Sequence, residues 1–360
     1  MMRYADRAPT CKPCSSEHTQ ARQLANFEGL CRVCAYPRRL ALRAAVGLAT
    51  LALGSSTVAQ SADAWPTRPV NVVVGFSAGG PTDTVARILA EGLSAKFGQS
   101  FVVDNKTGAA GTVAAGLVKQ AQPDGYTLML GSSSTLSILP MLQKTSYDTL
   151  RDFTTIGLVA SYPYFLVVPA SSSITTLDEL IAQGRQPTSR LNYGSAGNGT
   201  TNHLAGEWFK HEAKIQAQHV PYRGDSAAVA DLIAGRLDFA LFAGAVVLPQ
   251  VQAGNMRILA SASATPGLAG AGIPTLGERF KNFSAEPWNG LMAPAGLSPA
   301  IVTRVNAAMN EIMHRPEVVA RLKGMEQYPL TGSPQQFTEH IKTQTEVWRN
   351  VIATTGIQVN

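Results

Sequence analysis

Three residue patterns in this 360-residue chain could do chemistry: two cysteine pairs, a few scattered histidines, and several loops built from Gly, Ser, Thr and Asn. The cysteines lie in CKPC (Cys11, Cys14) and CRVC (Cys31, Cys34), a spacing that suits a structural zinc ion. Against zinc, the segment lacks an apolar period for a small core and precedes an export-signal pattern that would remove it. Translation starting later, for instance at Leu30 or Val33, accounts for it as well. Either way no cysteine follows residue 34, so the chain expected after export has no disulfide, thiol nucleophile or thiolate metal site. Among the histidines, His203 stands best for catalysis, at a helix start with Glu207 one turn on, and Asp83 is the acid a hydrolase-like reading would pair with it. A histidine there more often caps or packs, and no nucleophile or His/Asp cluster accompanies it. His211, His219, His314 and His340 lack metal-ligand spacing, so neither a metal nor a catalytic group is expected.

The loops are more informative. In GFSAGGPTDTVARI, Gly79 and Gly80 allow a tight turn ahead of a helix, with Phe76, Ser77, Gly80, Thr82 and Asp83 around its start. Unpaired amides at a helix N-terminus favour an anion. The plainer alternative is that Thr82 and Asp83 only cap that helix. In YGSAGNGTTNHLAGE, Gly194, Gly197 and Gly199 permit close backbone approach, and Ser195, Asn198, Thr200 and Thr201 supply neutral donors. Within this loop GxxxxGK[ST], GxGxxG and GxSxG are all absent, so no nucleotide cofactor is expected there. With no lysine in the loop, a carboxylate suits it better than a polyphosphate. GSSSTLS adds Ser132, Ser133, Ser134 and Thr135, and VPYRGD offers Tyr222 and an Arg223 able to pair a carboxylate. NKTGAAGT is expected to be a turn.

The elements that must position these loops alternate. VNVVVGF (70–76) is a strand, 84–98 a helix stopped by Gly98, 101–104 a strand, 112–121 a helix and 126–131 a strand. That βαβαβ order predicts a parallel sheet with helices on both faces. The pattern repeats in LNYGS, TTNHLAGEWFKHEA, QHVPY, DSAAVADLIAG and RLDFALF, with an Asp cap expected at the start of DSAAVADLIAG. Capping boxes at Thr176/Glu179 and Ser333/Gln336 open two further helices. Two Pro-flanked apolar segments, 162–171 and 286–296, bracket the second block and are expected to be crossing strands. The fold class is therefore two α/β lobes joined by a two-strand hinge, with 65–163 and 292–360 forming lobe 1 and 164–291 forming lobe 2. Such folds place ligands in the interlobe cleft, beyond the carboxyl ends of the strands.

Charge narrows the partners. Eight Lys/Arg and three acidic residues precede Gln60, which leaves 22 basic against 21 acidic residues for the rest of a chain whose net charge is +6. The basicity belongs to the leader, and no basic stripe for nucleic acid remains. In the leader, Arg38 and Arg39 precede a short apolar run (44–53) and small residues with cleavage patterns ending at Ala59 and Ala64. Residues 1–64 are thus a leader and signal peptide for export to the periplasm, by the general or the twin-arginine route.

The four segments 65–112, 123–131, 192–209 and 219–242, in this order, resemble the Bug-type extracytoplasmic receptors of tripartite tricarboxylate transporters. The resemblance runs from about Trp65 to the C-terminus. It implies a two-lobed type II periplasmic binding protein that closes on a small carboxylate between the loops at 76–83, 132–135 and 195–201 and engages membrane transporter subunits; the chain itself is expected to be a monomer. A signalling partner would use the same clamp. Two departures stand out: Leu136 occupies a position that is often polar, and Ala243 with Gly244 replaces an Asp-Asn-like pair. Both predict a less polar pocket and a more apolar acid.

Overall fold

The computed structural model describes residues 65–264, 272–281 and 283–357; the cysteine pairs and the signal peptide lie outside the described residues. The β-branched run of β1 (Val70–Val74) pairs in parallel with β2 (Phe101–Asn105) on one side and β3 (Thr127–Ser132) on the other. Helices α1 (Pro81–Phe97) and α2 (Thr112–Gln120) make the two crossovers. Helix α1 starts earlier than its apolar period suggests because Pro81, which needs no N–H partner, occupies its first turn behind the cap Gly80. Gly98 ends it in the left-handed conformation, φ +67°.

Strands β4 (Phe153–Ser161), β10 (Trp288–Pro294) and β11 (Tyr328–Pro329) complete a six-stranded sheet in the order β11-β4-β10-β3-β1-β2. The second sheet has the order β7 (Ala217–Pro221), β6 (Leu191–Ser195), β8 (Phe239–Ala243), β5 (Tyr164–Pro169), β9 (Met256–Ser261). Both sheets are mixed rather than wholly parallel. β5 runs against β8 and β9, and β10 runs against β3 and β4. The reason is the crossing itself: β4 ends at the cleft, so the next strand enters the other lobe from its cleft side and must oppose the strands whose carboxyl ends lie there.

The remaining helices are α3 (Leu139–Leu142), α4 (Leu177–Gly184), α5 (Thr201–Ala213), α6 (Asp225–Ile233), α7 (Gly244–Gln252), α8 (Leu276–Arg279), α9 (Pro299–Met313), α10 (Pro316–Lys323) and α11 (Pro334–Thr355). Both expected capping boxes form, on α4 and α11. Asp225 is the first residue of α6 and Gly224 its cap, which corrects the expected Asp cap.

The crossings are shorter than the segments 162–171 and 286–296 suggest, since β5 and β10 are interior strands of their own sheets. The chain passes between lobes at residues 162–163 and 286–287, where the Tyr162 N–H donates to the Pro287 carbonyl at 3.1 Å. β10 is paired in the first sheet from Trp288 onward. The C-terminal helix packs into two separate cores. On α11, Phe337 and Ile341 pack into a first-lobe core with Trp288 and Met292. Farther along the same helix, Trp348 and Val351 pack into the second-lobe core with Trp208 and Phe283.

Candidate functional site

Four chain segments meet where the carboxyl ends of the two sets of parallel strands face each other. From the first lobe come the β1–α1 loop and a π-helical turn, Ser134–Ile138, directly after β3. From the second come the β6–α5 and β7–α6 loops. Together with the crossings they enclose a cavity lined by Phe76, Ser77, Gly80, Pro81, Thr82, Ser132, Ser133, Ser134, Tyr162, Tyr164, Ala196, Thr200, Thr201, Asn202, Asp225 and Pro287. The N-termini of α1, α5 and α6 all point toward it, which favours negative charge there. Its space is ≈ 20 Å³, room for one water-sized group. Outside it opens a vestibule of ≈ 520 Å³ lined by the loops at 75–77, 107–110, 196–198 and 221–224 and by Gln143. That volume is ordinary for a small-molecule site.

The lobes touch through hydroxyls. Thr201 Oγ1 lies 2.9 Å from both Ser133 Oγ and Ser134 Oγ, and the Thr201 N–H donates to Ser134 Oγ at 2.9 Å. Close approach also depends on glycine. At Gly224, φ +112°, a Cβ would run into the Ser77 hydroxyl of the other lobe. At Gly199, φ +74°, it would lie 2.5 Å from Leu139.

The Gly-rich loop is held by its own side chains. Asn202 Oδ1 accepts from the Ala196 N–H (3.2 Å) and the Thr200 hydroxyl (2.7 Å), which turns its amide to donate to Asp225 Oδ1 at 2.8 Å. The Gly197 N–H donates to Ser195 Oγ and the Gly199 N–H to His203 Nδ1, both at 3.1 Å. Burial pushes the Asp225 carboxyl up to about 7, although the Asn202 hydrogen bond favours its ionised form. Burial also raises the Tyr162 and Tyr164 hydroxyls, so both stay neutral.

Of the sequence-predicted residues, Phe76, Ser77, Gly80, Thr82, Ser132, Ser134, Thr200 and Thr201 line the inner cavity. Asn198 and Tyr222 line the vestibule, as does Arg223. Three expected ligand contacts line neither space. Asp83 is buried on the Gly79 N–H (2.9 Å), Arg87 and Asn105. Burial alone would raise its carboxyl, but those partners outweigh it and hold it below the usual range. Thr135 donates to the Ala110 carbonyl (3.0 Å), and Ser195 faces His219 Nε2 at 2.6 Å. The Tyr222 hydroxyl is engaged by Asp231 at 2.7 Å, so only its ring faces the vestibule.

A hydrolase using His203 and Asp83 has no geometric basis. His203 stacks on His219 with centroids 3.9 Å apart, behind the loop, while Asp83 is held by Arg87 in the other lobe. Burial lowers the two imidazoles to about 4 and about 3. Among the described residues no group of three His, Cys, Asp or Glu is arranged to hold a metal. Leu136 and Ala243 are buried in the lobe cores and line neither cavity nor vestibule, which removes the basis for expecting a more apolar ligand.

Sequence reasoning missed Tyr162, Tyr164, Asn202 and Asp225. The tyrosines had a signal, since a segment that crosses a cleft must show side chains to it. Asn202 and Asp225 had none, because a polar residue near a helix start looks like a cap in any sequence.

Comparison with known proteins completes the description of the site. Residues 85–357 match the family described as "Tripartite tricarboxylate transporter family receptor". The chain is 34% identical over 320 residues, 88% of its length and 95% of the relative's, to the UPF0065 protein in the tcbD-tcbE intergenic region of Pseudomonas sp. (strain P51). Among solved structures it is similar to R. palustris Rpa4515 with adipate (33% identity, TM-score 0.79, covering 82% of this chain and 99% of that one). It is also similar to MatC from Rhodopseudomonas palustris with bound malate (28% identity, TM-score 0.75, covering 80% and 100%).

Proposed function

The chain belongs to the tripartite tricarboxylate transporter family of periplasmic solute-binding receptors, and on that footing we propose that it captures a dicarboxylate head-first in the cleft. One carboxylate enters the inner cavity, among the hydroxyls of Ser77, Thr82, Ser134 and Thr201 and the N-termini of α1 and α5. The body of the ligand lies in the vestibule, and the second carboxylate reaches Arg223 at its rim. The observation that carries this reading is the inner cavity itself, rich in neutral donors, faced by three helix N-termini and free of any cationic side chain among its lining residues. The adipate and malate of the two R. palustris relatives are of the same chemical class.

A space for one water-sized group does not admit a carboxylate, so the lobes part about the crossings at 162–163 and 286–287 and close again on the ligand. The lobes are 65–162 with 288–333, and 164–286, with α11 bridging both. The closed form is what the membrane subunits recognise. The mature protein is a monomer cleaved near Ala59 or Ala64, which intact mass and light scattering of the secreted protein would test.

Calorimetric titration of the chain from Gln60 with mono-, di- and tricarboxylates, amino acids and aromatic acids tests the assignment. Tightest binding by a dicarboxylate supports it. Tightest binding by a monocarboxylate, or by none of the acids, overturns it.

A further inference from the structure

One acidic side chain lines the inner cavity, and its charge has the wrong sign for a site that takes an anion. Asp225 is 8% exposed and contributes to the cavity wall. Asn202 Nδ2 holds its Oδ1, and Asn202 is itself fixed by Ala196 and Thr200, so that bond cannot swing away. The groups facing Asp225 from the packed elements are the Asn202 amide from α5, the Tyr162 and Tyr164 hydroxyls from the crossing and β5, and the hydroxyls of Ser77, Thr82, Ser133 and Ser134 from the first lobe. None is a cation. Arg223, two residues away, is exposed in the vestibule wall, and Asp231 is tied to Arg236 and Tyr222 on the outer side of α6. Two carboxylates confined with no cation between them repel unless one holds a proton. The geometry leaves that proton one useful place, on the Asp225 oxygen not held by Asn202.

We propose that Asp225 binds the ligand as a neutral acid, donating its proton to the ligand carboxylate, so that capture is coupled to the uptake of one proton. The inference rests on the carboxylate reading above and adds a selection rule to it: Asp225 favours a carboxylate acceptor over an ammonium donor at the head of the ligand. The balance is simple. Ionised Asp225, a ligand carboxylate and one proton from solvent give a complex with one protonated and one ionised carboxyl. Burial holds the Asp225 carboxyl at about 7 before the ligand arrives, so uptake is small at pH 6 and approaches one proton well above 7.

The test is titration of the chain from Gln60 with adipate and with malate from pH 6 to 8.5, in two buffers of different ionisation heat. The expected result is an affinity that is flat from pH 6 to about 7 and then falls toward tenfold per pH unit. The observed enthalpy would differ between buffers by an amount that grows toward one proton taken up. Asp225→Asn should flatten both dependences, whatever affinity it settles at, and the buffer experiment on the unaltered protein stands even if that variant does not fold. A dicarboxylate that binds with no pH trend and no buffer-dependent heat overturns the proton coupling and leaves the carboxylate assignment standing. If glutamate binds tightly while glutarate does not, Asp225 is ionised against an ammonium group and the proposal is wrong. Failure of every carboxylate at every pH removes both readings.

Discussion

Replacing Thr201 by valine removes a hydroxyl and almost nothing else, and that hydroxyl joins the lobes. Thr201 Oγ1 sits 2.9 Å from Ser133 Oγ and from Ser134 Oγ, contacts that exist only when the lobes are together. Each hydrogen bond contributes a net ~0.5–1.5 kcal/mol, so the closed form should lose about 1–3 kcal/mol. That is roughly 5- to 150-fold in the balance between closed and open forms. If the ligand-free protein is mainly open, the whole loss falls on the dissociation constant. The Thr201 N–H bond to Ser134 survives, which keeps the loss below that of separating the loops altogether. Isothermal titration gives the affinity, and small-angle scattering of the ligand-free protein gives its mean compaction. Thr338→Val is the control, since Thr338 Oγ1 pairs with Thr155 Oγ1 of β4 at 3.0 Å, where α11 packs on the first sheet and away from the contact between the lobes, and its loss should lower thermal stability without touching affinity. If Thr201→Val keeps both its affinity and its scattering curve, the hydroxyl cluster does not hold the lobes closed and the argument fails.

Gly224→Ala should cost stability, because φ +112° strains a Cβ wherever the lobes lie, and also affinity, because that Cβ meets Ser77 on closure; unchanged affinity in the folded variant would show that this approach is not needed. Asp225→Asn should raise the unfolding midpoint at pH 8, and by less as the pH falls. The folded carboxyl, at about 7 against 3.8 unfolded, holds a proton the unfolded chain releases, so its stabilisation is lost as pH rises through that window, at ~1.4 kcal/mol per unit or about 4 kcal/mol in all. His203 and His219 act in the opposite sense: the unfolded chain protonates near 6.5 and the folded one only near 4 and 3, so their stability is lost as pH falls below about 6.5. The Asp225→Asn protein should therefore show a steeper acid decline between pH 6.5 and 4 than the parent; parallel curves would refute the Asp225 assignment, and no decline in the variant would refute that of the histidines. Arg223→Gln should weaken dicarboxylates a fewfold and monocarboxylates not at all, with the difference fading in high salt.

Much of this protein is local in origin and was therefore legible in the chain. The βαβαβ grammar, the Gly98 stop and the boxes at Thr176/Glu179 and Ser333/Gln336 each depend on residues a few positions apart. So do the loops after β1, β3 and β6, because a loop at a strand's carboxyl end must face the cleft wherever the lobes come to rest. The tertiary structure decided what each polar side chain does there. Ser195, Thr135 and Asp83 look like ligand contacts in sequence, yet His219, Ala110 and Arg87, 24, 25 and 4 residues away, take them. Asp225 looks like a helix cap, yet its place in the cavity wall depends on Asn202, 23 residues earlier, and on Tyr162 and Tyr164 in the crossing. The antiparallel β5 and β10 and the double allegiance of α11 are likewise invisible locally, since they follow from where the chain re-enters a lobe. A sequence fixes which groups can bond; only the packed chain fixes which have already been satisfied, and a binding site is made of those left over.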